Sequence, residues 1–200
     1  GGDYIKATVE LMKQLCTQNK LLFVNSPYTF KDIAYGLRGQ KNVDLKRAFG
    51  LKPRINRLLL NNGGEVYILT PPVNFSVNFL PEGAVYQAFL KFNGWLLRKA
   101  VKRALKNLDM TDNLINFVAF NQRMGVTTGH KFNERTLIYH CYDEIYGAHP
   151  WLKKHGIALE DRFLKMADGV IVTSKGLYEA KKDKCKACYI VKNAVDIGLF

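Results

Sequence analysis

The chain has no apolar run approaching the roughly 18 residues that a membrane-spanning helix needs, so no segment of it is expected to cross a bilayer. Cysteine is scarce. Cys16, Cys141, Cys185 and Cys188 are too few and too unevenly spaced for a disulfide framework in 200 residues, which fits a reducing compartment. Cys185-x-x-Cys188 is half of a structural zinc site and has no second pair. It also leads into an apolar run, whereas a redox pair sits at a helix start. His140, His149 and His155 match no metal-ligand spacing with a carboxylate or thiol, so no metal is expected. His140 is read as a packed strand residue and the other two as loop residues. Repeats, low-complexity tracts and Ser/Gly linkers are all missing, so residues 1–200 are expected to form one domain. The opening Gly1-Gly2-Asp3 shows no basic-then-apolar leader, which makes the cytoplasm the expected location. Acidic residues are few as well: 17 Asp and Glu against 30 Lys and Arg leave a formal charge of +13. The partner implied is anionic: nucleic acid, a lipid surface or a phosphorylated small molecule.

What is present is an alternation. The runs 21–25, 65–70, 114–120, 136–142, 169–174 and 188–193 are short, rich in Val, Ile, Leu, Phe and Tyr, and apolar on both faces, which predicts strands covered by helices on either side. Between them lie helical patterns: 5–18 with Ile5, Val9, Met12, Leu15 and Cys16 on one face, 84–108 with an apolar stripe of Val85, Ala88, Phe89, Phe92 and Leu96, then 159–167 and 174–184. The predicted fold is α/β, a Rossmann-like doubly wound and mainly parallel sheet.

Two connections are longer than the fold requires: 26–57, with eight Lys or Arg against two Asp, and 71–83. Long loops of this kind are commonly functional. In open α/β sheets ligands bind beyond the carboxyl ends of the strands. Both loops leave from that edge, and so do Asn121, Asp143, Glu144 and Ser174. A carboxylate there can orient or deprotonate a hydroxyl, or merely cap a turn; Ser174 can cap the next helix or touch a ligand. In 95–108, Arg98, Lys99, Lys102, Arg103 and Lys106 line one helical face, flanked by Leu97, Val101, Ala104, Leu105 and Leu108. Such a helix either lies on an anionic membrane or is an outer helix with a solvated face.

The run "RFLKMADGVIVTSKGLYE" followed by "YIVKNAVDIGLF" resembles the close of the N-terminal domain in retaining glycosyltransferases of the GT-B fold. Those enzymes carry an Ala-Asp, a strand ending in Ser, a helix and an Asn-Gly-Val-Asp turn before their second domain. The matching positions are Ala167, Asp168, Val170, Ile171, Ser174, Asn193, Val195, Asp196 and Phe200. Upstream, "LIYHCYDE" at 137–144 looks like a strand found in those that build cell-surface polysaccharides. The specific match covers 136–200. It departs at Ala194, where the pattern has Gly, and the family's first strand would precede Gly1.

The resemblance implies one half of a GT-B fold, on the acceptor side, whose partner domain binds a nucleotide-sugar donor; this half would itself hold no cofactor. Asp143 and Glu144 would be the catalytic pair, acting on a saccharide or lipid-linked acceptor. Asn121, His149 and Ser174 would contact ligand. Gly1 and Gly2 would let backbone amides approach the donor diphosphate, although the pair is equally a remnant of a purification tag. The family would also put the protein peripherally on the inner face of the membrane. The alternative is a basic membrane-surface or nucleic-acid-binding module without catalysis. For nucleic acid, no RRM, KH or helix-turn-helix signature accompanies the charge.

Overall fold

A computed structural model describes residues 11–145 and 150–192, the last of these ranges without side chains for 150–153. Gly1, Gly2, His149 and the turn at 193–200 lie outside the described residues, as does the first half of the helix expected over 5–18, of which 11–15 is helical. The chain divides into two compact units, one spanning Met12–Asp112 and the other taking up the chain from Asn113.

The first unit holds β1 (Leu21–Val24), α1 (Phe30–Leu37), α2 (Leu45–Ala48), β2 (Ile55–Leu59), β3 (Glu65–Leu69) and α3 (Ala84–Asn107). Its sheet has the order β1-β3-β2, with β1 parallel and β2 antiparallel to β3. The segment 26–57, expected to be a loop, thus contains two helices and the start of a strand. Thr29 and Asp32 explain the first helix: each side chain accepts from the other's backbone amide, a reciprocal cap that satisfies two donors. Asp44 caps the second. The β2–β3 hairpin turns at Asn62-Gly63, where Gly63 has φ +79°, a left-handed conformation that favours glycine.

The long helix α3 has a surprise in its phase. It buries Tyr86, Leu90, Asn93, Gly94, Leu97, Val101, Ala104 and Leu105, and so turns most of the expected stripe outward. The C-terminal half decides this. Between 97 and 106 the only apolar line is Leu97, Val101, Ala104 and Leu105, because Lys99, Lys102, Arg103 and Lys106 occupy the rest. Extending that line backward at helical spacing reaches Asn93, Leu90 and Tyr86 and leaves Val85, Ala88, Phe92 and Trp95 exposed. Of the apolar flank noted above, which either reading could use, Leu97, Val101, Ala104 and Leu105 therefore lie in the core and Leu108 is half-buried.

Asn93 is buried at 5% exposure and clamps the 71–83 loop, accepting from the Phe75 amide at 3.0 Å and donating to the Phe75 carbonyl at 2.8 Å. Asn93→Ala should lower the unfolding free energy by about 1–3 kcal/mol in a denaturant titration, because both groups of Phe75 lose their partner. An unchanged midpoint would mean that water replaces the amide without loss.

The second unit runs β4 (Ile115–Ala119), α4 (Gln122–Thr128), β5 (Thr136–Cys141), α5 (Pro150–Met166), β6 (Gly169–Val172), α6 (Lys175–Lys181) and β7 (Cys188–Ile190). All four strands are parallel, in the order β4-β5-β6-β7. The α/β class with a mainly parallel sheet flanked by helices holds, and each of the six apolar runs forms a strand. They form two sheets rather than one, however, and among the described residues this one keeps its strands in sequence order, without a reversal. Helix α5 begins at Pro150, well before the expected 159, so His155 is a helical residue, buried at 2% exposure, and not a loop residue.

Burial follows the pleat. Val118, Leu137, Tyr139, Cys141, Val170 and Val172 form one core with Phe163, Leu164 and Ala167 of α5 and Leu177 of α6. The alternate residues of β5, Thr136 and Ile138, are half-buried. His140 is buried on that face between the rings of Phe117 and Tyr142, each 5.5 Å away. Burial holds its pKa below the usual imidazole value, and its Nδ1 has no hydrogen-bond partner. At the amino ends of the strands Asp168 accepts from the Leu137 amide at 2.9 Å and pairs with Lys186 at 2.9 Å, which gives the Ala-Asp of the sequence a structural task.

Candidate functional site

Parallel strands all end at one edge, so residues far apart in sequence meet there. Beyond the carboxyl ends of β5 and β6 lies an open recess of about 500 Å³ lined by Tyr142, Asp143, Glu144, Thr173, Ser174 and Gly176. Three of the expected site residues, Asp143, Glu144 and Ser174, share it. Thr173 closes its floor by donating from Oγ1 to the Tyr142 carbonyl at 3.3 Å, tying the two strand ends together.

The expected residues do different things. Ser174 caps α6, its oxygen accepting from the Leu177 amide at 3.2 Å. Asn121 caps α4 through the Met124 amide at 3.1 Å and does not line the recess. Asp143 is exposed, and its Oδ1 accepts from the Glu144 amide at 2.8 Å; among the described residues it has no ion-pair partner. One oxygen of Glu144 is taken by Lys181, 3.1 Å away. Each carboxylate thus has one oxygen engaged, but Glu144 is paired with a cation and half-buried whereas Asp143 is exposed and carries no ion pair among the described residues, so Asp143 is the better placed to accept a proton or hydrogen bond from a ligand hydroxyl.

Behind the recess is a polar network that no sequence pattern revealed. Lys181 is 2% exposed and its Nζ donates both to Glu144 Oε2 and, at 2.8 Å, to Oε2 of Glu160, itself 4% exposed. The other oxygen of Glu160 accepts from the Tyr139 hydroxyl at 2.8 Å and from the Cys141 thiol at 3.6 Å. Gln122 completes the chain, donating from Nε2 to the Tyr139 oxygen at 2.7 Å. The helices α4, α5 and α6 each contribute: Gln122 opens α4, Glu160 lies in α5 and Lys181 ends α6.

Electrostatics within the network favour one charge state. Burial alone would pull the Lys181 ammonium down, but hydrogen bonds and charge from Glu160, with Glu144, outweigh it and hold its pKa above the ordinary lysine value. Burial, together with the Glu160 charge, pushes the Cys141 thiol up to about 12, and burial foremost drives the Tyr139 phenol far above its usual range. Both stay protonated as donors to Glu160. The consequence for the recess is a carboxylate, Glu144, paired with a buried lysine that a second carboxylate also holds.

The cysteines are all free thiols. Burial, followed by the neighbouring Cys188, raises Cys185 to about 11, which makes it a poor nucleophile and metal ligand at neutral pH. Among the described residues no group of three or more His, Cys, Asp or Glu could hold a metal ion, and no helix is long and apolar enough to cross a membrane.

Comparison with protein-family models, curated proteins and solved structures finds no match for this chain. The recess must be interpreted from its own chemistry.

Proposed function

We propose that this chain is the acceptor-side part of a GT-B-type glycosyltransferase, moving a sugar from a nucleotide-sugar donor to a saccharide or lipid-linked acceptor. The observation that supports it is the convergence of Asp143, Glu144 and Ser174 on one open recess at the carboxyl edge of a parallel sheet. Sugar acceptors are polyols, and an exposed carboxylate with free lone pairs is the group that orients a hydroxyl for attack. Asp143 serves as that carboxylate. Glu144, pinned by Lys181, sets the local charge and the shape of the rim. The donor's nucleotide and diphosphate belong, as the sequence resemblance implies, to a second domain whose positive groups stabilise the leaving phosphate.

Sugar transfer by the full-length protein, screened over nucleotide sugars, tests this. Asp143→Asn should lower kcat about a hundredfold or more with an unchanged melting temperature, since the side chain is exposed. Unimpaired transfer by Asp143→Asn would remove the recess from the chemistry. Absence of transfer from every nucleotide sugar would remove the activity itself.

A further inference from the structure

The outward face of α3 carries a stripe that its own fold does not use. Positions 85, 88, 92, 95, 99, 102 and 106 follow one another at alternating steps of three and four, and all are exposed. The first four are Val85, Ala88, Phe92 and Trp95; the last three are Lys99, Lys102 and Lys106. Val85 is 60% exposed, Phe92 44% and Trp95 48%.

Neighbouring elements widen the apolar half. Phe30, the first residue of α1, packs its ring 5.2 Å from Phe75, which in turn lies 5.0 Å from Phe89 and 5.8 Å from Phe92; Phe92 is 5.8 Å from Trp95. Phe30 and Phe75 are themselves exposed. The patch is held, not floppy, because the Asn93 clamp fixes the Phe75 backbone and the Phe30 amide donates to the Asn74 carbonyl at 3.3 Å. Lys99 closes it, its ammonium 5.2 Å above the Trp95 ring.

We propose that this stripe docks the protein on an anionic phospholipid surface, with Phe92, Trp95, Phe75 and Phe30 entering the interface and Lys99, Lys102 and Lys106 contacting headgroup phosphates. The charge of the helix decides for this occupant. Along its whole length α3 carries six Lys or Arg and no Asp or Glu, so an acidic, laterally extended partner fits where a mixed-charge protein surface does not. Shape agrees. Phe92 and Trp95 project from an outward helix stripe about 30 Å long, with Phe30 and Phe75 beside them, whereas a helical peptide ligand is received in a groove. Charge is also continuous: beside the lysine half a recess of about 490 Å³ is lined by Lys52, Arg54 and Arg103 and by no carboxylate. A bilayer interface accommodates aromatic rings at the level of the headgroups and lysines reaching outward from them. The proposal does not depend on sugar transfer and survives if that reading fails.

The two tryptophans, Trp95 and Trp151, allow a direct test. In a Trp151→Phe background the remaining fluorescence reports Trp95 alone. With phosphatidylglycerol vesicles at low salt its emission should shift to the blue and be quenched by brominated acyl chains, while phosphatidylcholine vesicles should bind at least tenfold more weakly. Phe92→Ser with Trp95→Ser, followed by co-sedimentation, and separately Lys99, Lys102 and Lys106→Gln, should each weaken binding at least tenfold and leave the melting temperature unchanged, because every altered residue is exposed. The proposal is overturned by absence of binding, by binding without bromine quenching, or by unweakened binding of the serine variant. It is equally overturned if the patch proves to join two copies of the chain, seen as lipid-free dimerisation in sedimentation that Phe92→Ser abolishes.

Discussion

Lys181→Met should cost about 3–5 kcal/mol of stability and lower the melting temperature by roughly 10 °C. The reason is the company Lys181 keeps. Its ammonium lies between Glu160 and Glu144, and Glu160 is buried where water cannot replace a lost cation. Methionine fills the volume but leaves a buried carboxylate facing only the Tyr139 hydroxyl and the Cys141 thiol, neutral donors that cannot balance its charge. Replacing Glu160 by Leu as well should recover most of the loss, since exchanging a whole buried pair for apolar side chains is often neutral. A near-neutral single variant would show that the pair is solvated.

The pH dependence has a definite sign. The folded pKa of Lys181 is raised, so its contribution is fully present below the unfolded lysine value near 10.4 and disappears as pH climbs through the folded value. Wild-type stability should therefore fall in alkali above about pH 10.4, and the Lys181→Met variant should lack that part of the fall.

Two-sided apolarity was a sound guide to the strands because it reflects what a strand must do in a layered fold, and all six runs carry it. It says nothing of which strands pair, and so it could not separate two sheets. Strand β2 escaped because Asn56, Arg57, Leu58 and Leu59 are all exposed on an edge, although Asn62-Gly63 is a hairpin signal that was there to be read. The Thr29/Asp32 cap was legible in the same way. In α3 the pattern itself was ambiguous, since its first half is apolar on two sides and only the lysines of the second half fix the phase.

The recess was legible in part. Strand ends at 143 and 174 point to the carboxyl edge by topology alone, and the structure brings both there. Asn121 ends a strand too, but its side chain is consumed by a helix cap, a local use that position in the sequence cannot distinguish from binding. Lys181 and Glu160 were invisible because a lone lysine in a helix is normally solvated. Only the packing of α5 against β5 and of α6 against β6 and β7, elements separated along the chain, reveals that these charges face one another.

That same packing predicts a result that runs against helix propensity. Gly125→Ala, in the middle of α4, should stabilise an exposed helix by about 1 kcal/mol. Here a Cβ would stand 2.4 Å from two atoms of the Phe163 ring and 2.6 Å from a third. Phe163 is fully buried, at 0% exposure, with the Tyr139 ring of β5 tilted against it 4.9 Å away, so the ring has no free space to enter. Overpacking of this kind costs about 1–3 kcal/mol, and more where the backbone must move. The net for Gly125→Ala should be a loss of roughly 2 kcal/mol, and Gly125→Val should lose more. Reducing the ring with Phe163→Leu should make the two changes non-additive, the double variant falling well short of the summed losses. Thermal unfolding of the four proteins decides it: a Gly125→Ala variant as stable as wild type would mean that α4 does not press on α5, and the network that starts at Gln122 would then lack the close helix contact that aligns it.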